Sequence, residues 1–314
     1  MSYNIGIVGA ARRHQGTGPF IARTFNQLGH NIAGIIGTHE NSVTETKSHL
    51  KNQYGISTQG YTSLKDLLNE HQIDALIISS PPETHLQFLE EALKNNLHVF
   101  CEKPLWWPSQ NTKIPTNQNY IAQIQNCLNL AIDNQCMIHL NAQWPYTLPD
   151  FYRLYPHLLS TETSQFTMDL SPQSEGVSML VDAASHGLSM LYYLAGQGEI
   201  TDIVFTGASN QGFTASFNYQ HAVGVIETTL GFTKSLEVPK PARYIINHCK
   251  VDRKVSLPDY QIGLQSTQHS IPIKDPLLSS VEDFIASIEA GLQTDTTMLM
   301  SGANHLHQLI ESFN

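Results

Sequence analysis

Cations are scarce in this chain. Seventeen Lys and Arg stand against 27 Asp and Glu, for a net charge of −10 with histidine neutral. Nucleic-acid and anionic-membrane binders draw their affinity from clustered cations, so neither partner is expected. Cysteine is scarcer: Cys101, Cys127, Cys136 and Cys249 are widely spaced and form no C-x-x-C pair. That spacing suggests neither a zinc knuckle nor a redox couple, and the expected state is buried free thiols in a reducing compartment. No uninterrupted apolar run reaches the roughly 18 residues of a conventional spanning helix. The opening MSYNIGIVGA lacks a basic start and a long apolar stretch, so no signal peptide is expected and the chain reads as cytoplasmic. Histidines number 15 but are scattered. His305 and His307 lie two apart on an expected helix and diverge, and no metal site is expected.

What is present suits a globular enzyme-sized protein. The 314 residues are 41% hydrophobic and 14% charged, a length for two domains of roughly 150 residues each. Up to about residue 140, short β-rich runs alternate with amphipathic helices, the signature of βαβ units and a doubly wound parallel sheet. Strands are expected at 4–8, 31–36, 75–79, 97–101 and 136–141. Helices are expected at 19–28, 41–53, from Ser63, at 84–95 and at 120–134, with Gly55 as a C-terminal cap and Ser63 with Asp66 as a capping-box-like start. Beyond about residue 145 one helix near 179–194 precedes strand-like runs at 202–208, 213–219, 222–230, 242–248 and 254–257. Strands without intervening helices imply an antiparallel sheet, and helices at 276–290 and 296–312 close the chain. The expected division is residues 1–143, a dinucleotide-binding α/β domain, and 144–314, an α+β domain for substrate binding and oligomerisation, whose final helices are free to pack back on the first.

Gly9 ends the first strand and precedes a helix, the context a dinucleotide fingerprint requires. The loop runs Gly9-Ala10-Ala11-Arg12-Arg13-His14-Gln15-Gly16-Thr17-Gly18, longer than the usual G-x-G-x-x-G turn. Gly9, Ala11, Gly16 and Gly18 are read as letting the backbone approach a pyrophosphate, with Arg12 and Arg13 as cations beside it; plain turn chemistry is the bland alternative. The acid that normally accepts the adenosine ribose is replaced by Thr38. Without its repulsion a 2′-phosphate is tolerated, which leans the expectation from NAD to NADP; the alternative gives Glu40 the ribose role.

Two segments, Ser79-Ser80-Pro81-Pro82-Glu83-Thr84-His85 and Cys101-Glu102-Lys103-Pro104, read together, resemble the glucose-fructose oxidoreductase / inositol dehydrogenase / rhizopine-catabolism (Gfo/Idh/MocA) family. Leu180-Val181-Asp182-Ala183-Ala184-Ser185-His186 is similar to that family's Asp-x-x-x-His helix, and Asn141 stands where its last Rossmann strand enters the second domain. The chain departs from the pattern in its elongated glycine loop, at Thr38 and in Trp106-Trp107. The resemblance implies hydride transfer between NAD(P) and a hydroxyl or carbonyl carbon of a sugar- or polyol-like molecule. It puts Ser80, Pro81, His85, Glu102 and Lys103 near the cofactor, and Lys103, Asn141, Asp182 and His186 near the substrate.

By that resemblance Lys103 is the first candidate to handle the hydroxyl proton. His186 is the second, with Asp182 orienting substrate hydroxyls. The two are four apart, hence on one helical face, and a self-satisfied buried pair is the structural alternative. Trp107 or Trp106 offers a face for a sugar ring, against plain packing at a domain interface. His85 has a helix-capping role as its alternative, and Tyr192 and Tyr193 read as core or subunit contacts. A homo-oligomer, dimer or tetramer, is expected. The rival to an enzyme is a cofactor-binding sensor of the same fold without turnover.

Overall fold

The computed structural model describes residues 1–11, 16–109, 114–257 and 260–313. In chain order it contains β1 (Asn4–Val8), α1 (Gly18–Gln27), β2 (Asn31–Ile36), α2 (Glu40–Tyr54), β3 (Gln59–Tyr61), α3 (Leu64–Glu70), β4 (Ala75–Ile78), α4 (Pro82–Lys94), β5 (His98–Cys101), α5 (Asn117–Asp133) and β6 (Ile138–Leu140). Then come α6 (Leu148–Leu154), β7 (Gln165–Leu170), α7 (Ser185–Ala195), β8 (Gly198–Ser209), β9 (Gly212–His221), β10 (Val225–Thr233), β11 (Arg243–Ile246), β12 (Cys249–Ser256), β13 (Gln261–Gln265), β14 (Ser270–Pro272), α8 (Pro276–Glu289) and α9 (Thr296–Phe313). The contacts divide the chain into two units, Met1–Asn141 with Ser280–Thr296, and Ala142–Ser279 with Thr297–Asn314. The first crossing falls two residues before the boundary read from sequence, and residues 280–296 rejoin the first unit.

The first unit is a six-stranded parallel sheet in the order β3-β2-β1-β4-β5-β6, with the switch point between β1 and β4. Its central strands are apolar throughout because helices cover both faces: Ile5, Ile7 and Ala75 to Ile78 are all fully buried. The helix boundaries follow local chemistry. Ser63 Oγ accepts the Asp66 backbone N–H at 3.1 Å and donates to the Asp66 carboxylate at 2.6 Å. Gly55 closes α2 at φ +70°. The edge strand β6 is finished from far along the chain. Thr294 Oγ1 accepts the Ile138 N–H at 2.8 Å. Phe284 of α8 packs on Phe25 and Phe100 with centroids 6.1 and 5.5 Å apart, and Phe100 stacks on His139 at 5.2 Å. Burial holds His139 neutral, with its pKa pushed down to about 4.

The second unit is an eight-stranded sheet ordered β14-β13-β12-β11-β7-β10-β9-β8. It is antiparallel except where β10 runs parallel to β7. Strand β9 alternates cleanly, burying Phe213, Ala215, Phe217 and Tyr219 on one face. Helix α9 lies on that face: Phe313 meets Phe213 at 4.7 Å, and His305 meets Tyr219 at 5.7 Å. Strands β7, β13 and β14 and helix α6, like β3 of the first unit, are not among the elements expected from sequence. In β7, Gln165, Thr167 and Asp169 alternate with Phe166, Met168 and Leu170 and dilute the apolar signal.

Candidate active site

In an open α/β sheet ligands bind outside the carboxyl ends of the strands at the switch point. Here β1 ends at Gly9, whose φ is +83°. The Ser79 N–H donates to Val8 O at 3.0 Å, so the chain leaving β4 passes directly across Gly9. A Cβ on Gly9 would stand 2.4 Å from Ser80 N; one on Gly18 would stand 2.8 Å from Ser79 Oγ and 2.9 Å from Ala10 Cα. The protein's own close packing therefore calls for a glycine at both positions, beside the approach to phosphate read from the sequence. Ala11 and Gly16 flank the loop, half-buried, while Arg12 and Arg13 lie outside the described residues. Thr38, His39 and Glu40 are exposed after β2. His39 caps α2 through Nδ1, which accepts the Ser42 N–H at 3.1 Å.

Glu102 organises the neighbouring strand ends. Its Oε1 accepts the Thr17 hydroxyl and the Asn141 side-chain amide, each at 2.6 Å. Since the carboxylate only accepts, Asn141 must present Nδ2 to it, and its Oδ1 points elsewhere. That oxygen is sealed from solvent and takes no hydrogen bond among the described residues, on a side chain 1% exposed. Thr17, spent on Glu102, leaves the first turn of α1 with no side-chain cap and no acid. An uncapped helix start at the switch point and an orphaned acceptor just past β6 are what a pyrophosphate and a hydrogen-bond donor would complete, so these residues fit a dinucleotide.

His85 is placed otherwise than as a cofactor contact or a cap. Its side chain is fully buried, with Nε2 at 2.8 Å from Ser80 O and Nδ1 at 3.0 Å from Pro104 O. Burial pushes its pKa down, while the Ser80 and Pro104 carbonyls and Glu102 pull the other way. The ring is a strut between two turns, fixing the Ser80-Pro81 turn against Glu102-Lys103-Pro104, whose Lys103–Pro104 peptide is cis. Ser80 is buried with its Oγ against Thr84 Oγ1 at 2.6 Å, and Pro81 precedes the first turn of α4. Lys103 is half-buried. Trp106 stacks on Tyr120 at 5.3 Å and Trp107 leans on it at 5.2 Å. At 5% exposure Trp107 is a packing residue, which corrects its expected role as a sugar platform. The bulk of its ring is spent on the protein itself.

In the second unit, Leu180–Ala184 is a turn of π-helix that leads into α7. Asp182 and His186 thus straddle a register change, and the α-helical spacing expected of them does not hold. π-Bulges of this kind concentrate at functional sites. Asp182 Oδ2 accepts the Gln173 N–H at 3.3 Å and the Ser174 hydroxyl at 3.2 Å, fixing the loop after β7. The His186 ring faces the edge of Trp144 at 6.4 Å. Trp144 in turn meets Tyr244 at 6.0 Å and carries the Arg253 guanidinium 5.5 Å from its centroid. Tyr192 is half-buried and Tyr193 half exposed, so Tyr193 is not a core residue. Among the described residues no three His, Cys, Asp or Glu are grouped to hold a metal, and no helix is long and apolar enough to cross a membrane.

A family profile described as "Oxidoreductase family, NAD-binding Rossmann fold" matches residues 3–139. Residues 3–139, somewhat under half of the chain, thus resemble the NAD-binding domain of the Gfo/Idh/MocA family. The inositol 2-dehydrogenase of Azotobacter vinelandii is 29% identical over 113 residues, 36% of this chain and 32% of that protein. An uncharacterized oxidoreductase of Bacillus subtilis is 27% identical over 46% of this chain and 42% of its own length. The aligned stretches thus span well under half of these curated relatives. The whole fold has its likeness in the UDP-N-acetylglucosamine 3-dehydrogenase GnnA of Acidithiobacillus ferrooxidans, at a TM-score of 0.71 and 16% identity, covering 99% of this chain and 98% of that one. A putative myo-inositol dehydrogenase from Sinorhizobium meliloti gives 0.68 and 16%, over 100% and 98%.

Several features of the site leave little or no mark in the sequence. Thr17 looked like one more loop residue, and only its 2.6 Å bond to Glu102 separates it from them. Trp144 and Arg253 were equally silent. For Arg253 a signal existed: in Val251-Asp252-Arg253-Lys254-Val255 the arginine occupies the apolar phase of the alternation.

Proposed function

We propose that the protein is an NAD(P)-dependent oxidoreductase acting on a hydroxyl or carbonyl carbon of a sugar- or polyol-like small molecule. The observation that carries the reading is Glu102, which joins the uncapped start of α1, through Thr17, to Asn141 and its orphaned acceptor. Gly9, Ala11, Gly16, Gly18, Ser80, Pro81 and Glu102 form the surroundings of the dinucleotide in this reading. Bound there, the nicotinamide supplies hydride exchange with the reacting carbon. Lys103 holds or returns the proton at the substrate oxygen and opposes charge developing on it. His186 is the second proton-handling group, and Asp182, anchored to Gln173 and Ser174, orients a substrate hydroxyl. Asn141 serves the substrate side.

NADP is proposed ahead of NAD, because Thr38 and His39 leave no carboxylate at the position that repels a 2′-phosphate. Cytoplasmic residence suits Cys101, Cys127 and Cys136, which are buried free thiols. A homo-oligomer, dimer or tetramer, belongs to the same reading. Fluorescence titration with NADH and NADPH, followed by a polyol and sugar screen, tests the whole. Lys103→Met should lower turnover about 10²- to 10⁴-fold and leave dinucleotide affinity unchanged. Dinucleotide binding without turnover of any screened substrate would overturn catalysis in favour of a sensor.

A further inference from the structure

We propose that the second unit binds an anionic group of its substrate, a carboxylate or a phosphate, and that Arg253 is the residue that receives it. The inference rests on the reading above that this unit holds the substrate, and it narrows the substrate class to acidic sugars.

Along β12, Val251 is fully buried on the inner face of the sheet, opposite Tyr244 of β11, which is fully buried too. Strand alternation puts Arg253 on that same face, opposite the fully buried Leu264 of β13. An arginine thus stands where the pattern calls for an apolar side chain. Its guanidinium lies over the Trp144 ring at 5.5 Å, within cation–π range. One amino group, Nη2, donates to Lys240 O at 2.8 Å. Nε is sealed from solvent and donates to nothing among the described residues.

What is missing around Arg253 is a counter-charge. Among the described residues no carboxylate lies within ion-pairing distance of it, although the chain has ten more acids than bases. Two nearby cations of the sheet are paired, Arg243 with Asp169 at 3.0 Å and Lys250 with Asp252 at 3.1 Å. Burial lowers the Arg253 pKa, and Tyr260 works against that. A guanidinium held this far from water gains most from an oxyanion that accepts from its fork of N–H groups. Trp144 is the shared neighbour of Arg253 and His186. An anion on Arg253 therefore sets the sugar beside the imidazole proposed to handle its proton.

The test is calorimetric titration of the whole protein with D-glucuronate, D-glucose 6-phosphate and D-glucose, none of which needs turnover. The expected result is that one or both acids bind about ten-fold or more tighter than glucose. Tighter glucuronate identifies a carboxylate group, tighter glucose 6-phosphate a phosphate. Arg253→Met should erase the preference and leave glucose unchanged; Arg253→Lys, which keeps charge but not the fork, should retain part of it and covers the case in which the first variant does not fold. Equal binding of all three sugars, no binding of either acid, or a preference that survives in a folded Arg253 variant overturns the proposal. The parallel titration with NADPH separates the two readings. Dinucleotide binding and turnover of neutral polyols alone would sink this inference and spare the oxidoreductase. Acid binding through Arg253 without dinucleotide binding would do the reverse.

Discussion

Replacing Gly9 with alanine should damage the first unit itself, and the structure says by how much. Two costs add. The backbone at φ +83° is one that L-residues enter at a cost of roughly 1–2 kcal/mol. The new methyl group would stand 2.4 Å from Ser80 N and 2.6 Å from Ser79 C, both backbone atoms of a strand end that cannot rotate away. Overpacking against rigid neighbours costs roughly 1–3 kcal/mol more, for a total of about 2–5 kcal/mol. Gly29 isolates the second contribution. Its φ is +87°, yet nothing lies within 4 Å of its ideal Cβ, so Gly29→Ala should cost only the strain. Urea unfolding of both variants, with hydrogen exchange followed at the Ser79 and Glu102 amides that bond to Val8 and Ile78, measures the difference. If Gly9→Ala falls within about 0.5 kcal/mol of Gly29→Ala, the close-packing argument is wrong. If it holds, weakened dinucleotide binding in Gly9→Ala reports a displaced strand end and not a lost phosphate contact.

Two further outcomes concern single side chains. Glu102→Gln keeps an acceptor for Thr17 and Asn141 but loses the charge that strengthens both 2.6 Å bonds, and should cost about 1–3 kcal/mol in urea unfolding. Combined with Thr17→Val the losses should fall short of their sum; strict additivity would contradict a shared network. His305 is buried with Nε2 3.0 Å from Gly198 O, and burial pushes its pKa down to about 4. The unfolded imidazole protonates near pH 6.5 while the folded one resists, so stability is complete above about 6.5 and is lost as pH falls towards about 4. His305→Gln should flatten that decline by up to about 1.4 kcal/mol per pH unit, and an unchanged slope would refute the assignment.

The parallel sheet was legible because its strands are apolar on both faces and its helices carry their own punctuation, Ser63 with Asp66 and Gly55 among it. The second sheet was harder, for physical reasons. Its strands bury one face, so Thr, Gln and Asp interrupt every apolar run, and β7 disappeared into that background. The β11–β12 hairpin turns on Asn247 and His248, both at positive φ. Without a glycine in that two-residue turn the pair read as separate strands, and β12 was recognised only from Lys254. At the site, motif residues marked the right turns but not what each side chain does there. His85 and Trp107 serve the protein's own packing, a distinction that depends on burial and partners and leaves no trace in spacing. The π-turn at Leu180–Ala184 is likewise a product of packing, invisible in an Asp-x-x-x-His string.

The return of residues 280–296 to the first unit bears on how the protein is made. A ribosome finishes β6 and then synthesises all of Ala142–Ser279 before Phe284 and Thr294 emerge. At about 5–20 residues per second that interval is on the order of ten seconds or longer. Throughout it, the aromatic surface of Phe25 and Phe100 and the unpaired Ile138 N–H lack the segment that covers them in the finished fold. A nascent chain in that condition is a natural client for a chaperone. A gene cut after Asn141 would make the exposure permanent, so an excised cofactor-binding module should carry residues 280–296 rejoined through a linker.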